Sequence, residues 1–175
     1  LLRSDVVVVS DTSQFAKGQP AITYGLRGIV GFELRLTGPK RDLHSGTFGG
    51  AVNNPANALV RLLSALHNDQ GQVQVPGFYD DVESISAREK AEFERLGFRE
   101  TDFCAQIGIR ESFGEAGYST LERRWARPSC DINGLYGGYG GEGAKTVIPS
   151  FAGAKVSFRL AAHQQTRKVA AAFRA

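Results

Sequence analysis

The sequence predicts an α+β domain of the ferredoxin-like βαββαβ type, in which two helices cover one face of an antiparallel sheet. Two segments, 24–37 and 153–161, alternate apolar and polar side chains, as half-buried strands do. Two others, 54–66 and 166–175, have the apolar spacing of helices that are packed on one side. With a further strand at 132–137, the order is strand, helix, strand, strand, helix. The last strand of the motif is missing, so we expect a domain truncated at its C-terminal end.

The first predicted element is a short strand at Val6 to Val9, which is continuously apolar and β-branched. Such a run is typical of a strand that is buried on both faces of a parallel sheet. It ends at Ser10 and Asp11, and a polar turn with glycine and proline follows at 17–20. This change of composition predicts a domain boundary, with residues 1–20 in one domain and residues 21–175 in another.

The strand at 24–37 has two distinct faces. Its apolar face is predicted to carry Leu26, Val30, Phe32, Leu34 and Leu36, and its polar face Arg27, Glu33 and Arg35. A glycine-rich loop, 38–50, leads to Asn54 and Pro55, which are favoured residues for a helix N-cap and first helical position. The apolar stripe of that helix comprises Val52, Ala56, Leu59, Leu62, Leu63 and Leu66.

Residues 77–128 are predicted to form a helical insertion. A capping box at Ser86 to Glu89 begins one short helix, and Thr101 begins another. In the strand at 153–161 that follows the insertion, Phe158 is predicted to face the helices and Arg159 the open side of the sheet.

Composition bounds the function. The chain of 175 residues is 42% hydrophobic and 22% charged, which is typical of a globular protein and excludes a disordered or fibrous one. It contains no methionine and starts at Leu1, which predicts a piece of a longer protein. The apolar run near its start is too short for a signal peptide or a membrane span, so we expect a cytoplasmic protein without membrane contact.

The charge and the cysteine content also limit the possible partners and ligands. The net charge of +3 is spread among acidic residues, which does not indicate a nucleic-acid partner. The open face of strand 153–161 also lacks the aromatic side chains with which RNA-binding sheets stack bases. Cys104 and Cys130 have no metal-type spacing and are predicted to be free thiols.

Five segments occur together in order: Val-Ser-Asp at 9–11, Ile-Thr-Tyr-Gly-Leu-Arg-Gly at 22–28, Asp-Leu-His-Ser-Gly at 42–46, Gly-Ala-Lys-Thr-Val-Ile-Pro at 143–149 and Ser-Phe-Arg-Leu at 157–160. As a set that covers essentially the whole chain, they resemble the metal-dependent exopeptidases of the carnosinase and cytosolic dipeptidase type. In that family a lid domain, inserted into a catalytic domain, forms the homodimer and reaches into the partner's active site.

The resemblance implies roles for four residues. Asp11 would be a ligand of two divalent metal ions, zinc first and manganese as the alternative, with none bound by this piece alone. His44 would stabilise the oxyanion in the partner subunit's site, and Arg159 and Thr146 would bind the carboxylate of a small peptide substrate. On the residues alone, other interpretations are the more common ones: Asp11 as a turn or helix cap, His44 as an exposed loop residue and Arg159 as an ordinary polar position on a strand.

We therefore expect part of a peptidase that hydrolyses an amide bond near a free carboxylate, inactive in isolation. Two alternatives remain open at this level. One is the lid domain of an aminoacylase, desuccinylase or deacetylase of the same superfamily, and the other is a non-catalytic dimerisation module.

Overall fold

The computed structural model describes residues 3–8 and 14–175. Within them the chain forms both strands and α-helices, which confirms the mixed architecture predicted from the sequence. In chain order these elements are β1 Gly28–Thr37, β2 Leu43–His44, α1 Ser45–Phe48, α2 Pro55–Ser64, α3 Ala87–Arg95, α4 Glu100–Ile107, α5 Thr120–Trp125, β3 Ser129–Gly137, β4 Val147–Ile148, β5 Phe151–Leu160 and α6 Thr166–Arg174.

The three long strands form an antiparallel sheet in the order β1-β5-β3. The central strand β5 pairs with β1 along its whole length, from Phe151 opposite Thr37 to Leu160 opposite Gly28. On its other side β5 pairs with β3, and a β-bulge interrupts that register between Ile132 and Gly134. The last long strand of the chain is therefore the middle strand of the sheet.

One face of this sheet carries the core. The five apolar side chains of β5 on that face are at most 2% exposed: Ala152, Ala154, Val156, Phe158 and Leu160. Leu59 and Leu63 of α2 and Val169 of α6 pack into the same cluster. The ring of Phe173 in α6 lies 5.0 Å from that of Phe158. The alternation that predicted β1 and β5 is thus the alternation of a sheet with helices on one side.

The first strand is shorter than predicted. It begins at Gly28 rather than at residue 24, because its partner β5 ends at Leu160, opposite Gly28. Leu26, which was expected on the apolar face, is 86% exposed. In α2 the prediction of Asn54 as N-cap is confirmed, since its side-chain oxygen accepts the Ala56 N–H at 2.9 Å. Leu62, expected on the buried stripe, is 39% exposed at its flank.

The predicted strand at Val6 to Val9 is wrong for its first three residues. Val6, Val7 and Val8 are 77%, 75% and 85% exposed and belong to no strand. A buried strand needs neighbours that pair with its backbone, and none of the described residues pair with these three. Val9 lies outside the described residues. The domain boundary after residue 20 stays a prediction.

Residues 77–128 contain α3, α4 and α5. The predicted capping box of Ser86 and Glu89 is confirmed at the start of α3, and a second one, Ser119 with Glu122, begins α5. A buried ion pair stabilises this region, with the Arg127 guanidinium donating to both oxygens of Glu115 at 2.7 Å.

Both cysteines are buried free thiols, as predicted. Burial raises the pKa of the Cys130 thiol to about 12. Among the helices of the described ranges, none has the length and hydrophobicity that a bilayer crossing requires.

Candidate functional site

Two loops meet beyond the end of the sheet where β5 begins. Residues 38–50, predicted to be a loop throughout, contain the short strand β2 and the single turn of α1. β2 pairs with β4, with His44 opposite Val147. These two-residue strands are too short to show an alternating pattern, so no sequence signal predicted them.

Ser150 connects the same two loops a second time. Its backbone N–H donates to Oδ1 of Asp42 at 2.8 Å, and its carbonyl accepts the Gly38 N–H at 2.8 Å. The hydrogen bond from the Ser150 N–H lowers the pKa of the Asp42 carboxyl group. The Asp42 carboxylate therefore links the two loops.

The structure brings together two of the predicted site residues, His44 and Thr146. Nε2 of His44 lies 3.0 Å from Oγ1 of Thr146. Nδ1 of the same ring accepts the Gly46 N–H at 3.1 Å, so the proton of the neutral imidazole lies on Nε2, which donates to Thr146. Both residues are exposed. The imidazole is thus oriented from both nitrogens and still accessible to another molecule.

The short turn after His44 depends on glycine. A Cβ added at Gly46 would lie 2.8 Å from Cε1 of the His44 ring, a distance that carbon atoms do not tolerate. A side chain at this position would push the imidazole away from Thr146. This contact explains why the Asp-Leu-His-Ser-Gly segment ends in glycine.

Arg159 lies at the opposite end of β5. It is exposed on the face of the sheet away from the core, where it pairs in register with Ile29 and Ser129. Eight residue steps separate it from Phe151, a distance of about 26 Å along a strand. The structure therefore does not bring Arg159 to the pair formed by His44 and Thr146.

Comparison with known proteins identifies the family of this chain. Residues 24–175 match the M20 peptidase dimerisation domain. The chain belongs to the M20 peptidase dimerisation-domain family. The predicted resemblance to carnosinase and cytosolic dipeptidases is thereby confirmed.

Two curated relatives illustrate the relationship. The Cys-Gly metallodipeptidase dug1 of Schizosaccharomyces pombe is 34% identical over 167 residues, which are 95% of this chain and 35% of that protein. The Beta-Ala-His dipeptidase of Rattus norvegicus is 34% identical over 159 residues, 91% of this chain and 32% of that protein. This M20 domain chain thus spans about a third of the length of these relatives.

A solved structure of the same family has a similar fold. The M20 family metallo-carboxypeptidase Sso-CP2 from Sulfolobus solfataricus superposes with a TM-score of 0.84 at 31% identity. The match covers 93% of this chain and 42% of that one.

The predicted metal ligand Asp11 lies outside the residues of the chain that the structure describes. No three histidine, cysteine, aspartate or glutamate side chains in the described ranges are grouped as a metal site would require.

Sequence reasoning assigned Arg27 only to a polar strand face. In this M20 domain it is half-buried, and its Nη1 donates to the backbone carbonyls of Arg127, at 3.0 Å, and Arg123, at 3.3 Å. Arg27 lies just before the observed strand, and alternation carries no information about such a long-range partner.

Proposed function

We propose that this chain is the dimerisation domain of a longer metal-dependent dipeptidase that hydrolyses a peptide bond near a free carboxylate. The family supports dimerisation, and the names of the relatives support dipeptide hydrolysis. Residues 1–20 would belong to the catalytic domain and residues 21–175 to the dimerisation domain. The strand order β1-β5-β3 supports a βαββαβ sandwich, whose remaining strand would pair with the free edge of β1. A cytoplasmic location stays a prediction.

The distance between the site residues supports an active site that two copies of the chain share. His44 and Thr146 lie beyond one end of β5, and Arg159 lies near the other end, about 26 Å along the strand. An extended dipeptide spans only about 7 Å. One substrate molecule that contacts all three residues must therefore lie between two copies of the chain.

The chemistry of each residue fits a distinct part of the substrate. The Nε2–H of His44 would donate a hydrogen bond to the oxygen of the scissile carbonyl as negative charge develops there. This bond would replace its hydrogen bond to Thr146. Arg159 presents a planar guanidinium that can bind the substrate carboxylate through two hydrogen bonds. Thr146 orients His44 and, as an exposed hydroxyl beside it, contributes a further polar contact to the substrate.

The metal ions would be held elsewhere in the longer enzyme, since the described residues form no metal-binding group. When bound, two divalent ions in such an enzyme activate a water molecule and polarise the scissile carbonyl. Asp11 remains the one proposed ligand from this chain, and zinc the proposed metal, with manganese as the alternative.

Mixing of inactive variants tests the shared site in the complete dipeptidase. A His44→Ala subunit paired with an Arg159→Gln subunit restores one intact site, because the first supplies Arg159 and the second supplies His44. Random pairing makes half of the dimers hybrid with one intact site of two, so we expect about a quarter of wild-type activity. Co-expression with two affinity tags would isolate the hybrid for measurement.

The matched control is a hybrid of His44→Ala with Thr146→Val. His44 and Thr146 are contributed to a site by the same subunit, so each site of that hybrid lacks one of the two residues. Its activity should therefore not exceed the mean of the two parent homodimers. If the His44→Ala and Arg159→Gln hybrid is no more active than its parents, the three residues do not meet across a dimer and the proposal fails.

A further inference from the structure

Arg27 crosses the end of the sheet where Arg159 lies. It directly precedes Gly28, the first residue of edge strand β1, and its guanidinium bonds to the carbonyls of Arg123 and Arg127 before β3. β1 and β3 are separated by the central strand β5, which places them about 9.6 Å apart. The side chain of Arg27 therefore passes over the last residues of β5.

The crossing is on the same face as Arg159. Ile29 pairs with Arg159 in register, so both side chains point to the open face. Arg27 precedes the strand, and its charged neighbours include Arg159 and Asp131, of which Asp131 pairs in register with Ser157 on the same face. The Arg27 side chain thus lies across the end of the sheet, beside the position of Arg159.

The charged groups that act on Arg27 include the Arg159 guanidinium. Burial and the nearby Arg159 guanidinium lower the pKa of Arg27, the Asp131 carboxylate opposes that shift, and Arg124 adds to it. The guanidinium groups of Arg27 and Arg159 thus lie near one carboxylate at this end of the sheet, and that of Arg124 acts on Arg27 from α5, where it lies over the ring of Phe103. Among the described residues neither Arg27 nor Arg159 forms a salt bridge. The excess positive charge is not neutralised within the described chain.

We propose that Arg27 is a positioning and specificity residue for the carboxylate site formed by Arg159. Its two bonds to the carbonyls at the end of α5 fix residues 120–127 against the end of β5. Its charge keeps the Arg159 guanidinium away from the sheet by repulsion, and adds a second cation that favours an anionic substrate terminus. This inference rests on the proposed function, because it presumes that Arg159 binds the substrate carboxylate.

The test compares a dipeptide that has a free C-terminal carboxylate with the same dipeptide as its C-terminal amide, using the complete dipeptidase. We expect Arg27→Gln to raise KM for the free acid about three- to tenfold and to change kcat about twofold at most. KM for the amide should change little. The preference for acid over amide would then fall by the same factor as KM for the acid rises.

Two variants separate charge from structure. Arg27→Lys keeps the charge but cannot hold both carbonyls with one fork, so it should lower the thermal unfolding midpoint while retaining most of the preference for the acid. Arg35→Gln removes a charge from the same face, about 26 Å away along β1, and should leave that preference unchanged. Arg27→Lys also keeps the test valid if Arg27→Gln fails to fold.

Each outcome assigns a cause. An equal loss with acid and amide in Arg27→Gln, or a loss of preference in Arg27→Lys as large as in Arg27→Gln, would overturn the inference and leave Arg27 a structural residue. Arg159→Gln serves as the reference variant. If it leaves the acid preference intact, the assignment of Arg159 in the proposed function fails first. If it abolishes the preference and Arg27→Gln does not alter it, only the role of Arg27 is wrong.

Discussion

Nε2 of His44 donates to Oγ1 of Thr146 at 3.0 Å, across 102 positions of sequence. Two segments that the sequence shows only as separate motifs thus form one structural unit, which Asp42 and Ser150 hold together from the side. The hydrogen bond selects one orientation of an exposed imidazole before any substrate is present.

Replacing Thr146 by valine tests this orientation. Valine keeps the shape but removes the hydroxyl that orients the His44 ring before the substrate binds and then contacts the substrate, and one hydrogen bond of this kind contributes about 0.5–1.5 kcal/mol. We expect kcat of the complete dipeptidase to fall about three- to tenfold. Thr146→Ser retains the hydroxyl and should keep kcat near the wild-type value. A loss in Thr146→Ser as large as that in Thr146→Val would contradict this role of the hydroxyl, because serine retains it.

The contact of Asp42 with Ser150 should depend on pH. The folded-state pKa of Asp42 is lowered, so this contact contributes stability above the ordinary aspartate pKa. That contribution is lost as the pH falls through the lowered value. The amide resonance of Ser150, followed by NMR during acidification, should titrate with a midpoint below the ordinary range for aspartate. In Asp42→Asn this titration should vanish, and a midpoint at or above the ordinary value would refute the assignment.

The buried Cys130 thiol should be unreactive in the folded chain. With a pKa of about 12, about one thiol in ten thousand is ionised at pH 8, and only the thiolate attacks disulfide reagents. We expect modification by a thiol reagent at pH 8 to proceed at the rate of unfolding, and to become fast in denaturant. A Cys130→Ala variant distinguishes its signal from that of Cys104, and fast reaction without denaturant would show that Cys130 is accessible.

The buried ion pair of Arg127 and Glu115 predicts a strong asymmetry between single and double variants. Glu115→Gln leaves the buried guanidinium without a compensating charge, which costs about 3–5 kcal/mol of the free energy of unfolding. Adding Arg127→Met removes that isolated charge and should recover part of the loss. Denaturant unfolding of the single and double variants gives the coupling energy, and strictly additive losses would mean that the pair does not interact.

We expect the surface between α2 and β3 to form the dimer contact. Its groove is lined by Ala56, Leu59, Val60, Leu135, Tyr136, Gly137 and Ala152, and Val60 and Leu135 are 64% and 65% exposed. In the described sheet β3 pairs only with β5, so its outer edge is available to a second copy.

Leu135→Lys should therefore shift the complete dipeptidase toward monomers, measured as mass in solution. Phe113→Lys is the control, because Phe113 is 85% exposed but lies in the region of α4 and α5. A dimer that persists in Leu135→Lys and dissociates in Phe113→Lys would move the interface to that other region.

The sequence predicted the elements whose pattern is long enough to have a period. The alternation in β1 and β5 and the capped, amphipathic helix α2 appear where they were expected, because burial on one side imposes those patterns. The run at Val6 to Val8 has the composition of a buried strand, but composition does not supply the neighbouring strands that would bury it. The wrong assignment of Leu26 has the same origin, since the length of β1 is set by the end of its distant partner β5.

The candidate site was predictable only in part for a related reason. His44, Thr146 and Arg159 stood out through motifs, yet which of them share a location depends on pairings between segments about a hundred residues apart. The contact of Arg27 with the end of α5 has no local signature at all. Such contacts follow from the register of the sheet and are visible only once the sheet is known.

Under the proposed function, the placement of His44 beyond one end of β5 and of Arg159 near the other determines how the longer enzyme would respond to dilution. A reaction centre completed by a neighbouring molecule exists only in the associated form, so specific activity becomes a function of protein concentration. Below the dissociation constant of the dimer, total activity would fall with the square of the concentration, and each subunit would depend on its neighbour for turnover.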